Sequence, residues 1–393
     1  MSKHRTLILL PIKITVEPSF FLPNFILSNH FWHAFGIDSK QTDLLFNFKR
    51  SIQMKKILLH CTTAAVLLFF ASSSLNAQRA IFVEETYADE EFQMSNMEIP
   101  SWDIVAGGPG KDGIPALSDP AFVSAKKDNW LEKEDLVIGV TINGVSKAYP
   151  LRIMNYHEVV NDEFDNKSVA ITYSPLCGSA MAYRTEDKHN EWELAVSGLL
   201  YNNNALYFDR QTESLWSQVL GRAVSGQVAG AELELLPTTL TTWENWKENH
   251  PKTLLLSKET GFSRNYELDT YAYYASTDRL MFPINHNDDR LQLKERILGV
   301  EVDGVFKAYP YATLASTSDD NDFVTEDIIN GQNIKISFNK TANTAYATDE
   351  AGINLPSASM YWFTWSAFHP ETSLFGQPGN DESKLSLSIG MIK

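Results

Sequence analysis

Between Val137 and Pro150 apolar and polar residues alternate, VIGVTINGVSKAYP, around Asn143-Gly144. A period of two marks a half-buried strand, and Asn-Gly favours the two-residue turn that joins antiparallel strands. The stretch therefore predicts a β-hairpin. Its closing Pro150 is placed to start a helix, because the missing N–H and fixed φ of proline are tolerated in a first turn. That helix is predicted over LRIMNYHEVV, Leu151 to Val160, with Ile153, Tyr156, Val160 and His157 on one face at helical spacing. A strand, VAITYS, comes next and runs directly into Pro175-Leu176-Cys177.

The pattern recurs. ILGVEVDGVFKAYP, Ile297 to Pro310, aligns with Val137 to Pro150 without a gap at an offset of 160, with Asp303-Gly304 at the turn. ITYSPLCGSAMA from Ile171 is answered by ISFNKTANTAYA from Ile336, and WENWKENHPKTLLL from Trp243 by WFTWSAFHPETSLF from Trp362. Three matches in order predict a mixed, β-rich α/β protein made of two diverged copies of a hairpin-helix-strand unit. The first copy spans 131–256 with a β-rich insertion at 189–237; a connector, 257–296, leads to a second, degenerate copy at 297–393. A lead segment, 78–130, precedes both. Within the insertion WELAVSG and AVSGQVAGAELELLP read as strands, LLYNNNALYFD as a hairpin turning on its asparagines, and Thr212 to Ser217 as a short capped helical turn. The glycine-rich Gly107 to Pro115 is a loop; it lacks Ser or Thr after Lys111 and follows no clear strand, so it is not a phosphate-binding loop.

The ends change the picture. Met54-Lys55-Lys56, an apolar run from Ile57 to Ala71 and Leu75-Asn76-Ala77 before Gln78 read as a secretory signal peptide over 54–77. The run is shorter than the ~20 residues of a membrane span. Residues 1–53 have no steady period and read as an overcalled upstream start or a disordered extension. The expected mature chain is exported, periplasmic or secreted, with no membrane span. Met1 to Ala77 holds eight basic and three acidic residues, so its removal takes the net charge from −16 to −21. Such a surface repels nucleic acid and anionic lipid. The EETYADEE run, Glu84 to Glu91, reads as a solvated, poorly ordered start.

Cys61 leaves with the signal peptide, so Cys177 is the one thiol of the expected mature chain and has no disulfide partner within it. It is buried, metal-bound or reactive. His157, on the inward face of the helix before the cysteine's strand, is the candidate base or second ligand, with Asp162 or Glu158 to orient its other nitrogen. Copper or zinc would suit a Cys177–His157 pair, and Met154 and Met181 are soft enough to join a copper site. The competing reading is a satisfied core histidine beside an inert cysteine. The second copy has Thr317 and Ala342 where the first has His157 and Cys177. A second polar patch, Asp209, Arg210, Ser214 and Trp216, is a candidate substrate contact, or else a capped turn beside a core indole. The paired W-x-x-W-x-x-x-H-P elements, with His250 and His369, look structural. No H-E-x-x-H, G-x-S-x-G or C-x-x-C motif is present, so hydrolase and zinc-finger readings find no support.

DGIPAL from Asp112, KAYPLRIMNYHEVVND, ITYSPLCGSA, SGLLYNNNALYFDRQTESLWSQ and WENWKENHP resemble the bacterial domain-of-unknown-function family 3179, from about Asp112 to at least Pro310. Members typically read T-Y-C-P-L-C where this chain has ITYSPLC, and some are described as selenoproteins. The resemblance implies redox chemistry or metal capture at that turn. Ser174 stands where the family's first cysteine would be, so a resolving thiol is missing and a dithiol mechanism is in doubt. What it leaves is a one-thiol mechanism, such as peroxide reduction through a sulfenic acid resolved by an external thiol reductant, a Cys177/His157 metal site, or a member that has lost its chemistry. The alternative of another class is a non-catalytic binding module for a small molecule or partner, with SGLLYNNN and DRQTESLW forming the pocket.

Overall fold

The computed structural model describes residues 92–377; the signal-peptide reading, residues 1–53 and the Glu84 to Glu91 run lie outside them, as does the end of the second copy. The fold is mixed α/β and strand-rich, with 40% strand against 13% helix. Two short strands, β1 (Ile104–Ala106) and β2 (Phe122–Ser124), precede the hairpin β3 (Leu136–Ile142) and β4 (Val145–Pro150). Both turn residues of that hairpin take positive φ, 49° at Asn143 and 79° at Gly144, the geometry that matches the twist of paired strands.

Helix α1 (Leu151–His157) follows Pro150 and leads to a meander, β5 (Val159–Phe164), β6 (Lys167–Ser174) and β7 (Ser179–Arg184). The predicted helix to Val160 is corrected here. It stops at His157 because Glu158 takes φ 58°, which ends the helical hydrogen bonding, and the β-branched pair Val159-Val160 joins β6 instead. In the insertion lie β8 (Leu194–Tyr201), β9 (Asn204–Asp209), β10 (Leu215–Ser217), β11 (Arg222–Ala223) and β12 (Glu234–Leu236). β8 and β9 turn on Asn202 and Asn203 at φ 52° and 61°, as their asparagines predict. The helical turn expected from Thr212 is absent: Leu215–Ser217 pairs with β9, and Asp209 caps the tight turn between them. Then come β13 (Thr239–Thr242), α2 (Trp243–Asn249), β14 (Leu254–Leu256) and, within the connector, the short α3 (Ala272–Ala275).

The remaining chain forms β15 (Arg296–Val302), β16 (Val305–Pro310), α4 (Tyr311–Thr317), the meander β17 (Asp322–Ile329), β18 (Gln332–Asn339) and β19 (Thr344–Asp349), then β20 (Ser357–Tyr361), α5 (Trp362–Phe368) and β21 (Ser373–Leu374). Strand order here, β20-β15-β16-β21, has the same pattern as β13-β3-β4-β14 in the earlier part, including a final parallel strand in each. The matched tryptophan motif has one physical cause in both places. A Cβ on Gly139 would lie 2.3 Å from the Trp246 ring, and one on Gly299 2.3 Å from Trp365, so each glycine makes room for an indole. Those indoles donate to Thr253 at 3.0 Å and Thr372 at 2.8 Å, seven residues on. His250 stacks against Trp246 and His369 against Trp365 and Phe306.

A second repeated contact concerns Asp162. Lys147 Nζ donates to both its oxygens, at 2.9 and 2.8 Å, and Tyr149 OH donates at 2.5 Å. Lys307 and Tyr309 hold Asp327 the same way, at 2.7 and 2.9 Å. The two parts share a sheet, because β20 pairs with β7 at Ser359 and Ala180.

Candidate functional site

Cys177 sits in the four-residue loop Pro175 to Gly178 between β6 and β7, tied down at both ends. Its N–H donates to Ser174 O, its carbonyl accepts from Tyr361 N at 2.9 Å, and Gly178 turns the chain at φ 57°. The side chain is fully buried, and its S–H donates to Asn203 O at 3.2 Å. Burial pushes the thiol up to about 11; polar contacts from Thr364, Asn204 and Ser174 pull it back only in part, and Glu158 adds to the rise. At neutral pH the sulfur is a thiol.

His157 is buried too, but it serves another purpose. Nδ1 lies 2.8 Å from Pro115 O, which can only accept, so Nδ1 carries the proton and Nε2 accepts from Tyr266 OH at 2.7 Å. Tyr266 in turn bonds Thr260, so the imidazole straps the connector onto α1. Burial lowers its pKa and keeps it neutral. With both nitrogens engaged it is neither the base nor the ligand that its helix position predicts. Asp162 does not orient it: both carboxylate oxygens belong to Lys147 and Tyr149, and the same arrangement recurs at Asp327 beside neither His nor Cys.

A copper or zinc ion does not fit these donors. Coordination needs a thiolate and a free ring nitrogen, and Cys177 and His157 offer neither. Among the described residues no group of three or more His, Cys, Asp or Glu gathers as a metal site. Met154 and Met181, the candidate extra copper ligands, are packed in apolar clusters.

The second polar patch is also self-contained. Asp209 accepts from Thr212 N and Oγ1 and from Trp216 Nε1, each within 2.8 Å, while Trp216 packs on Trp192. Arg210 forks onto Asp112 at 3.0 and 2.8 Å, and the Ser214 hydroxyl bonds Thr212 Oγ1 at 2.8 Å and accepts from Val228 N. Each of the four has a partner within the fold.

What surrounds the sulfur is a set of polar groups from elements far apart in sequence. Gln218 fixes their orientation. Its Nε2 donates to Ser179 O at 3.2 Å, a group that can only accept, so Oε1 must take the Asn204 Nδ2 hydrogen at 2.8 Å. Asn204 Oδ1 is thereby left as a buried acceptor with no partner. Tyr207 OH and Thr364 Oγ1 are likewise buried without a hydrogen bond. Glu158 is 7% exposed, and its carboxyl makes neither a hydrogen bond nor an ion pair with any described residue. Burial alone pushes it up to about 8, and its charge raises the Cys177, Tyr207 and Tyr271 protons.

These four groups come from the end of α1 (Glu158), from β9 (Asn204 and Tyr207) and from α5 (Thr364). Sequence reasoning weighed Glu158 only as an orienter of His157, reached Asn204 only as part of the SGLLYNNN pocket segment, and missed Tyr207 and Thr364. One signal was available: a lone acid within the apolar text of HEVV is destined for the core. SGLLYNNN does contribute to this site, through Asn203 and Asn204, whereas DRQTESLW does not.

A family model described as a protein of unknown function, DUF3179, matches residues 111–372, about two thirds of the chain. Neither the curated proteins nor the solved structures contain a match.

Proposed function

Since this chain belongs to the DUF3179 family of proteins of unknown function, we propose its role from the groups around Cys177: it is a binding protein for a small polar molecule enclosed against that sulfur. The observation that carries the reading is that three oxygens which act on the Cys177 proton or feel its charge, Asn204 Oδ1, Tyr207 OH and Thr364 Oγ1, lie buried without a hydrogen bond. An unsatisfied buried polar group costs roughly 1–3 kcal/mol, so three together are a large sacrifice of stability unless a ligand completes them. Thiol redox chemistry is supported less well. The nucleophile in such chemistry is the thiolate, and both burial and Glu158 favour the protonated form.

The proposal extends to the frame. The matched strand orders, glycine–tryptophan contacts and Lys–Tyr–Asp groups support two diverged copies of one unit. In that reading the second copy, without His or Cys at the matching positions, supplies Thr364 as one wall of the site. Export behind the 54–77 signal segment belongs to the same proposal.

The test exploits the cost of unpaired groups. Tyr207→Phe and Thr364→Val each keep shape and remove one unpaired oxygen. Each is expected to raise unfolding stability by about 1 kcal/mol in denaturant titrations. Destabilisation by both would mean that these atoms have structural partners, and the binding reading fails.

A further inference from the structure

We infer that a second site, a cleft between α2 and the β17–β19 meander, binds a neutral saccharide. It shares no residue with the groups around Cys177 and goes beyond the binding reading above.

The cleft encloses about 510 Å³, within the roughly 300–1,000 Å³ usual for small-molecule sites. Its base is the ring pair of the tryptophan–histidine motif. His250 lies on Trp246 with 3.8 Å between ring centroids, and its Nδ1 is 3.1 Å from Ser146 Oγ. Asn245 and Asn249 of α2 line one side. The other is lined by a row across three strands, in which Ser337 of β18 has Val324 of β17 and Tyr346 of β19 as its cross-strand neighbours. A corresponding cleft of about 460 Å³ opens over Trp365 and His369, but its lining is of another kind. Phe306 stands where the first hairpin has Ser146 and stacks on His369 at 4.0 Å, and Val219, Leu233 and Leu235 face it. The same aromatic base thus carries apolar walls in one place and amides and hydroxyls in the other.

That polar lining decides the ligand class. It contains no lysine or arginine to meet an anion. Its one carboxylate, Asp322, already accepts from the amides of Asn339 and Asn321, so it does not call for a cation either. Burial lowers the His250 pKa, which leaves that ring neutral as well. What remains are groups that give and take hydrogen bonds. Asn249 Nδ2 donates to Asn245 O at 2.8 Å, which leaves Asn249 Oδ1 as an acceptor. Ser337 Oγ, Tyr346 OH, the Asn354 amide and His250 Nε2 have no partner among the described residues. Vicinal hydroxyls of a sugar give and take in the same way. A peptide would call on backbone donors and acceptors, and those of β18 are spent on β17 and β19. Tyr346, 39% exposed, adds a ring for the C–H face of a pyranose.

The probes are cellobiose, maltose and diacetylchitobiose, titrated calorimetrically into the full-length protein, with acetylated trialanine amide as the neutral peptide control. At least one sugar is expected to bind, with an affinity that added salt leaves unchanged, as an uncharged ligand requires. Tyr346→Ala removes the ring and Asn249→Ala the acceptor. Both positions are exposed, so neither change empties the core. Each should weaken the binding by about tenfold while thermal unfolding stays as in wild type. Failure of all three sugars to bind overturns the inference. So does binding that survives both variants, that weakens in salt, or that favours the peptide.

Discussion

A glutamate in the left-handed region, buried and without a counter-charge, is an expensive residue in a folded chain. Its cost depends on pH in a direction that can be worked out. The unfolded chain gives up the Glu158 proton near 4.5, whereas the folded chain keeps it to about 8. Between those values the native state binds more protons than the unfolded state, so its stability falls as pH rises. Summed over that window the loss is a few kcal/mol, at about 1.4 kcal/mol per pH unit. Glu158→Gln carries no such proton. Equal stability at pH 4 and a variant progressively more stable than wild type toward pH 8 is the expected result of denaturant unfolding across that range. Parallel curves would mean that the carboxyl is solvated or paired.

At the scale of elements, the glycine–indole contacts explain why the chain repeats W-x-x-W-x-x-x-H-P-x-T. The helix delivers an aromatic ring onto a bare strand position, and the threonine that ends the motif accepts the indole N–H. A methyl group at Gly139 or Gly299 would enter the Trp246 or Trp365 ring. Both lie in β-conformation, where alanine is otherwise welcome, so the penalty is purely one of packing. Gly139→Ala and Gly299→Ala should each destabilise by roughly 1–3 kcal/mol, as overpacked cores do, and by similar amounts. Thermal unfolding of the two variants checks this; a neutral result at either site would show that its helix shifts freely to make room. The hairpins were legible from sequence because Asn-Gly and Asp-Gly encode their turns within two residues. The end of α1 was not, since the helical spacing through Val160 competes with β-branched residues that pair with β6, and only the tertiary sheet decides between them.

On the scale of the whole molecule, the sulfur was legible as the one thiol left to explain, but its surroundings were not. Asp162 lies close in sequence to His157 and was read with it, whereas the fold turns it to Lys147 and Tyr149. Asn204, Tyr207 and Thr364 reach the site only through the insertion and the C-terminal part, and no local pattern announces such convergence. The enclosure of Cys177 turns this architecture into a clock. An alkylating reagent such as iodoacetamide can meet the sulfur only while β9, α5 and the Pro175 to Gly178 loop separate, so the modification rate of that peptide, followed by mass spectrometry, reads how often the junction comes apart. It should trail the denatured chain's rate by orders of magnitude. Gly299→Ala, which strains α5 against its strand, should quicken it. A native rate equal to the denatured one would mean that the junction stands open.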